Sequence, residues 1–230
     1  MAFGQFKAAR TNNDDIDRLR GMLSQMGGLA ERAIHDSINA LQRADNTLAT
    51  QVRGADKSID QLQAEVEALA VSIISQGSLR NGDLRDVVAA LKIAGVIERI
   101  GDYAKNIAKR VPMIEGEHRI EPISVIPAMA RMAAEMVHDV LDAFAARDSA
   151  AAVLVCERDR TLDDFYDGIF RMLVTYMVEN PATIGQVAHL LFVAKNLERI
   201  GDHATNVAEM VYFAATGTQM PERVKTGEAQ

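Results

Sequence analysis

Hydrophobic residues recur every three or four positions through most of this chain, which is the period of one face of an α-helix. In the first half the pattern forms three runs, interrupted at Asp45 and at the turn signal Asn81-Gly82. The runs contain, in order, Leu23, Met26, Ala30, Ile34 and Leu41, then Ile59, Leu62, Val66, Leu69 and Ile73, and finally Ile93, Ile97, Ile100, Ala104, Ile107 and Val111. We therefore predict three helices in this half.

The boundaries of these helices follow from residues that cap or break a helix. Polar residues 11–15 offer N-caps for the first helix, and Gly77 lies near the end of the second. The third helix is expected to begin at about Asp83 and to end at Pro112, because proline cannot continue a helix.

The second half repeats this pattern. Its first helix is predicted over residues 129–144, and a turn at Asn180-Pro181 separates its second helix from its third. The two later runs contain Leu162, Phe165, Ile169, Met172 and Tyr176, then Val193, Leu197, Ile200, Ala204, Val207 and Val211. Because the connections are short, neighbouring helices should be antiparallel, and each half should form a three-helix bundle.

A repeated pentapeptide shows that the two halves are copies of one unit. Glu-Arg-Ile-Gly-Asp occupies residues 98–102 and again 198–202, and the flanking Ala94, Ala104 and Asn106 also recur one hundred residues later. Upstream, matching residues lie 103 positions apart, so the second copy lacks three residues in one loop. We predict an all-α protein of six helices in two tandem three-helix bundles. The predicted segments are a first repeat at 1–112, a connection at 113–127, a second repeat at 128–214 and a flexible tail at 215–230.

Composition agrees with this fold and limits the function. Hydrophobic residues make up 48% of the chain, whereas aromatic residues make up 5% and tryptophan is absent, a composition typical of packed helices. The formal net charge of -7 disfavours binding to nucleic acid, and no apolar run is long enough to predict a membrane span. The single cysteine, Cys156, is compatible with a reducing compartment, so we expect a cytoplasmic protein.

Carboxylates spaced four residues apart mark the second and third helix of each half. On the third helix they lie away from the apolar stripe, and on the second they flank it. Like charges at this spacing disfavour a helix by about a few tenths of a kcal/mol, so we infer that a cation lies between them. Carboxylate oxygens from two helices suit a hard cation or carboxylate-bridged iron, zinc, manganese or magnesium. The predicted metal ligands are Asp56, Asp60, Glu98, Asp102, Asp159, Asp163, Glu198 and Asp202. Asp164 and Asp167 are additional acids in the second half, so the two sites need not be equal.

Two other interpretations remain open at this point. The acids could form solvated helix faces, with Arg99 or Lys105 balancing their charge, in a purely structural scaffold. Alternatively, a diiron or dimetal carboxylate oxidase would use Glu-x-x-His motifs inside a helical bundle. Glu135 and His138 fit that motif, but the equivalent of Glu135 in the first half is Arg32, and a second match, Glu115 with His118, lies in the connection between the halves.

The repeated segments "IERIGDYAKNIAK" and "LERIGDHATNVAE", together with "MGGLAERAI" and the "DLR" at residues 83–85, resemble the PhoU family of phosphate-transport regulators. The similarity covers nearly the whole chain. It implies two three-helix bundles related by a pseudo-twofold axis, with acidic motifs that hold metals in some members. It also implies a non-enzymatic negative regulator of phosphate uptake and of the phosphate-starvation response. Its implied partners are the phosphate ABC transporter ATPase and the phosphate sensor histidine kinase, and we also expect a homodimer.

Five further positions carry expectations. Gly101 and Gly201 lie inside predicted helices, where each glycine lowers helix stability by about 1 kcal/mol relative to alanine. We therefore predict that a neighbouring helix or ligand approaches them closely. His35 and His138 are expected to be ordinary packing or capping histidines. Cys156 is predicted to lie on the acidic side of its helix as a plain thiol.

Overall fold

The computed structural model describes residues 2–77, 79–114 and 120–221, with side chains from residue 14 onward. Its six long helices are α1 (Ala2–Arg43), α2 (Asn46–Ser75), α3 (Asn81–Ala108), α5 (Ile126–Ala146), α6 (Ser149–Glu179) and α7 (Ile184–Thr216). A single-turn helix, α4 (Val111–Ile114), follows α3, and 3₁₀ turns at Glu121–Val125 and Pro181–Thr183 precede α5 and α7. The described chain contains no strand, so the all-α prediction of six helices is confirmed.

The helices pack as two similar layers that share one core. In the first repeat α1, α2 and α3 pack against one another, and in the second repeat α5, α6 and α7 do the same. The two repeats meet where α3 packs on α7 and where α1 packs on α5. The four inner helices α1, α3, α5 and α7 therefore form the centre of the molecule, and α2 and α6 lie on the outside.

The apolar positions that predict the helices are the positions that are buried. Met26, Ile34, Ile97 and Val193 have no exposed surface, and Met129 of the second repeat is equally buried at the position equivalent to Met26. These side chains belong to one continuous hydrophobic cluster that extends through both repeats. Burial of the helix faces accounts for helices much longer than intrinsic propensity alone would support.

The two repeats use the same corner between their first and second helices. Ala44 and Arg147 occupy equivalent positions and both adopt left-handed backbone conformations, with φ of 52° and 53°. The next residue is in each case an aspartate that caps the following helix. Asp45 Oδ1 accepts hydrogen bonds from the amides of Thr47 and Leu48, both at 2.9 Å, and Asp148 makes the equivalent pair of bonds. The duplication therefore extends to the detailed geometry of the chain reversals.

Several predicted boundaries differ from the structure. The first helix begins at Ala2 rather than within residues 11–15, because polar residues that favour caps are also tolerated inside a helix. The third helix ends at Ala108, and Pro112 lies in the first turn of α4, where a proline ring is acceptable. The last helix continues to Thr216, where Gly217 with φ of 77° ends it, and Met220 still packs against the core. Residues 222–230 of the predicted tail lie outside the described residues.

Candidate carboxylate sites on the two repeats

The first candidate site lies between α2 and α3. Asp56 is only 6% exposed, and Lys105 of α3 forms an ion pair with its Oδ2. The same ammonium donates to Asp102 Oδ1 at 3.1 Å, so one lysine joins carboxylates from two helices. The hydrogen bond to Asp56 is the main reason that the pKa of Lys105 is raised, and the lysine is therefore charged across the physiological range.

Glu98 completes the first acidic group from one turn earlier on α3. Partial burial raises the pKa of its carboxyl, and the negative charges of Asp102, Asp60 and Asp56 raise it further. All four predicted ligands of the first repeat are thus close enough to interact electrostatically. The positive charge between Asp56 and Asp102 is supplied by the protein itself.

The second candidate site lies between α6 and α7 and has a different arrangement. One carboxylate oxygen from each of Asp159, Asp163 and Asp202 lies within 4.8 Å of the other two. Burial raises the pKa of the Asp163 carboxyl, and the charges of Asp202 and Glu198 add to that effect. This trio is the one group of three or more histidine, cysteine or acidic side chains that converges in this way within the described residues.

Glu198 borders this trio and has one oxygen available. Its Oε1 accepts a hydrogen bond from Lys195 at 2.6 Å, whereas its Oε2 is buried with no hydrogen-bond partner among the described residues. A buried carboxylate oxygen without a donor is unfavourable unless a cation or water satisfies it. The donor set of the second repeat, which consists of oxygens alone, therefore fits a hard or borderline metal ion.

Gly101 and Gly201 allow the paired helices to approach closely, as predicted. A Cβ atom on Gly101 would lie 2.7 Å from Cδ1 of Ile59, and one on Gly201 would overlap Cδ2 of Leu162. The same two hypothetical atoms would lie 3.7 Å from Asp56 Oδ1 and 3.5 Å from Asp159 Oδ1. Each glycine thus brings the aspartates of α2 and α3, or of α6 and α7, within reach of one another.

Cys156 lies on the side of α6 that faces α7, the same side as Asp159, as predicted. Its side chain is 2% exposed, and its Sγ lies 4.0 Å from the carbonyl oxygen of Thr205 on α7. The thiol is therefore buried between α6 and α7, one turn before Asp159. A small apolar group fits this interface, whereas the equivalent Arg53 of the first repeat is exposed.

The histidine motif that suggested an oxidase lies on the surface. His138 is 58% exposed and pairs with Glu31 of α1 through Nδ1 at 3.3 Å and with Asp142 through Nε2 at 3.6 Å. The hydrogen bond to Glu31 is the main reason that its pKa is raised. His35 and Glu135 are also exposed, and Glu115 and His118 lie outside the described residues. His138 thus joins two helices at their surface, rather than packing in the core or capping a helix end.

Two features of the repeat junction were not predicted from the sequence. Tyr103 and His203, which occupy equivalent positions, meet edge to face with ring centroids 5.1 Å apart, so the pseudo-twofold axis passes near them. A groove of about 1050 Å³ lies beside them between α3 and α7 and is lined in part by Arg99, Met210 and Phe213. Tyr103 and His203 are equivalent in the two repeats, but this equivalence predicts a contact between them only if the position of the pseudo-twofold axis is known.

An ion cluster around the buried Asp86 is a further unpredicted feature. Asp86 of α3 is 3% exposed, and its carboxylate pairs with Arg20 of α1 at 2.7 Å and with Arg147, at the corner before α6, at 2.9 Å. Burial raises the pKa of Asp86, and the two arginines oppose that effect. The equivalents of these residues in the other repeat are Gln186, Ile123 and Ala44, so the duplication gives no signal for the cluster.

Fold and site together define a class: an all-α protein made of two copies of a three-helix unit, each with carboxylates between its last two helices. The model of the PhoU domain matches residues 23–111 and 126–211, and the chain belongs to the PhoU family. None of the helices in the described residues is sufficiently long and apolar to cross a membrane.

Relatives in several bacteria match over nearly their full length. The chain is 52% identical to the phosphate-specific transport system accessory protein PhoU homolog of Zymomonas mobilis, over 93% of this chain and 90% of that protein. It is 42% identical to the homolog of the same name in Caulobacter vibrioides, with 92% of each chain covered. The crystal structure of PhoU from Pseudomonas aeruginosa superimposes with a TM-score of 0.85 at 36% identity, covering 90% of this chain and 99% of that one. A PhoU structure from Streptococcus pneumoniae, 22% identical with a TM-score of 0.85, shares the fold.

Proposed function

We propose that this protein is an accessory protein of phosphate transport that represses phosphate uptake and the phosphate-starvation response. The observation that carries the proposal is the near full-length similarity to relatives named as accessory proteins of the phosphate-specific transport system. In this proposal the protein acts in the cytoplasm by binding, without catalysis. Its partners are the ATPase of the phosphate ABC transporter and the phosphate sensor histidine kinase.

The helical architecture is suited to such a role. The outer helices α2 and α6 expose apolar side chains among polar ones, including Val71 and Ile74 on α2 and Phe170, Val174 and Val178 on α6. Exposed apolar positions on rigid helices are a common basis for protein recognition. Equivalent surfaces on the two repeats could engage two different partners or a second copy of the chain in a homodimer.

Co-purification tests the partners directly. The tagged full chain should retain the transporter ATPase and the sensor kinase from extracts of phosphate-replete cells, and light scattering on the purified protein should give a dimer mass. A matched variant, Val174→Asp with Val178→Asp, should lose one or both partners while helix content stays unchanged. Retention of neither partner by the wild-type chain would contradict the proposed mode of action.

Metal binding is a second part of the proposal. The PhoU resemblance implies metal in some members, and the donor set of Asp159, Asp163, Asp202 and Glu198 fits iron, manganese, zinc or magnesium. These side chains would hold the ion between α6 and α7 and so fasten the outer helix to the inner one. Asp202→Asn should therefore lower the metal content of the purified chain, and elemental analysis measures it.

The oxidase alternative is not favoured by the geometry or by the comparisons. Glu135 and His138 are exposed, and His138 pairs with Glu31 and Asp142 rather than with a second motif of the same kind. The relatives are named for phosphate transport. If an iron-loaded sample with a reductant consumed dioxygen catalytically, the oxidase would replace the regulator as the better account.

A further inference from the structure

The two carboxylate sites differ at one position that decides their charge. Lys105 in the first repeat is equivalent to Thr205 in the second, within segments that otherwise share most of their residues. Lys105 reaches Asp56, which is buried, and Asp102, which is one turn away on its own helix. The ammonium of Lys105 therefore already lies between α2 and α3. The equivalent residue of the second repeat carries no charge.

Thr205 does not replace that cation. Its hydroxyl donates to the carbonyl oxygen of Asp202 at 2.7 Å, along its own helix. Lys195 of α7 pairs with Glu198 at 2.6 Å and lies 5.2 Å from the centre of the Tyr166 ring, and its charge also acts on Asp163 and Asp202 without a hydrogen bond to either. Its equivalent in the first repeat is Gly95, so the lysines beside the two carboxylate sites occupy different positions.

A metal ion in the first repeat would compete with the ammonium for the same oxygens. Binding at Asp56 and Asp102 would have to break both contacts of Lys105, or place a divalent ion beside a fixed positive charge, and both are unfavourable. The donor set of the first repeat therefore does not fit a metal ion while Lys105 is present. In the second repeat the equivalent residue is the uncharged Thr205, and one oxygen from each of Asp159, Asp163 and Asp202 lies within 4.8 Å of the other two.

We propose that Lys105 is a built-in cation that takes the place of metal in the first repeat, so that metal loading of this chain is confined to the second repeat. The confinement of metal to the second repeat rests on the metal binding proposed above, whereas the role of Lys105 can be tested independently of that binding. The chain would thus hold α2 against α3 permanently through an ammonium, but hold α6 against α7 in a manner that depends on metal supply.

The test exchanges the two residues and counts bound metal. The metal-free full chain is titrated with Mn²⁺ alone, and the stoichiometry is measured by calorimetry and elemental analysis. The wild type should bind in one repeat only, with Asp202→Asn removing binding and Asp102→Asn leaving it unchanged. Lys105→Thr should add binding that Asp102→Asn then removes, and Thr205→Lys should lower the original binding at least tenfold. Lys105→Met, which keeps the aliphatic stem, replaces Lys105→Thr if circular dichroism shows that the latter is unfolded.

The outcomes separate the two claims. Equal stoichiometry in the wild type and in both folded Lys105 variants would overturn the role of Lys105, whatever happens at Asp202. A wild type that binds no Mn²⁺, together with a Lys105→Thr variant that does, would support that role and refute the metal site of the second repeat. Equal losses from Asp102→Asn and Asp202→Asn in the wild-type background would show that both repeats bind metal and would contradict the proposal.

Discussion

At the scale of single residues, Gly101 and Gly201 set the distance between the helices that carry the carboxylates. A helix interior ordinarily disfavours glycine, but here the missing side chain leaves room for Ile59 or Leu162. The position therefore depends on packing between helices rather than on local helix propensity. The pairing of the aspartates across each interface follows from this close approach.

Alanine substitutions test this packing. We expect Gly101→Ala and Gly201→Ala each to destabilise the protein by about 1–2 kcal/mol net, because overlap of the added methyl with a buried side chain outweighs the gain in helix propensity. The matched controls are Gly54→Ala on α2 and Gly168→Ala on α6, where nothing lies within 4 Å of an added Cβ. These controls should stabilise the protein by about 0.5–1 kcal/mol. Chemical denaturation measures all four, and equal effects at tight and open positions would show that the packing argument is wrong.

The pair of His138 and Glu31 makes a small part of the stability dependent on pH. Because the pKa of His138 is raised in the folded state above 6.5, the pair stabilises the fold fully below about pH 6.5, and the contribution is lost as the pH rises through the folded value. Both side chains are at least partly exposed, so the expected contribution is at most about 1 kcal/mol. Glu31→Gln should therefore lower the melting temperature more at pH 5.5 than at pH 8.5, when each is compared with the wild type. An equal loss at both pH values would contradict this linkage.

At the scale of elements, the two equivalent corners should contribute equally to stability. Asp45 and Asp148 each cap two backbone amides with one side-chain oxygen. Asp45→Ala and Asp148→Ala should each cost about 1 kcal/mol, whereas asparagine at either position should cap nearly as well as aspartate. Thermal unfolding of the four variants measures the difference. If the asparagine variants lose as much stability as the alanine variants, the charge rather than the cap is responsible.

Most elements could be predicted from the sequence because their signals are local. The three-to-four spacing of Ile93, Ile97 and Ile100 identifies the buried face of α3, and the repeated pentapeptide identifies its counterpart on α7. The start of α1 was predicted wrongly because a run of polar residues can cap a helix or lie inside one. Helix ends depend on small energies that the sequence pattern does not resolve.

Less of the candidate sites could be predicted, because their details depend on tertiary distances and on differences between the repeats. The prediction of the sites rests on acids that both repeats contain. The residue that distinguishes the two sites, Lys105, is present in the first repeat only. From the sequence alone, Lys105 is indicated only as a residue that could balance the charge of the acids. The cluster of Asp86, Arg20 and Arg147 joins residues as many as 127 positions apart, and no local pattern predicts such a contact.

At the scale of the whole molecule, the core is continuous from one repeat to the other. Packing of α3 on α7 and of α1 on α5 buries apolar surface that either repeat alone would expose. The ion cluster at Asp86 also crosses the junction, since Arg20 belongs to the first repeat and Arg147 to the second. The complete pair of repeats is therefore the unit of stability.

Removal of the carboxylate from this cluster should weaken the junction. Asp86→Ala removes the partner that Arg20 and Arg147 share, and because both arginines keep some contact with solvent we expect a loss of about 1–3 kcal/mol, as for hydrogen bonds to charged groups. Asp17→Ala is the control, because Asp17 is largely exposed and pairs with the same arginine at the surface. Urea denaturation compares the two variants. A loss at Asp86 no larger than that at Asp17 would show that the buried cluster does not hold the repeats together.

The central claim is that the intact double repeat represses phosphate acquisition, and the rate of phosphate uptake in phosphate-rich medium tests it most directly. Uptake of labelled phosphate is measured in a strain that lacks this gene and in the same strain supplied with the full chain or with residues 1–112 alone. The account predicts a higher rate in the deletion strain, restoration to the parental rate by the full chain and no restoration by the single repeat. Equal uptake in the deletion and parental strains would contradict it.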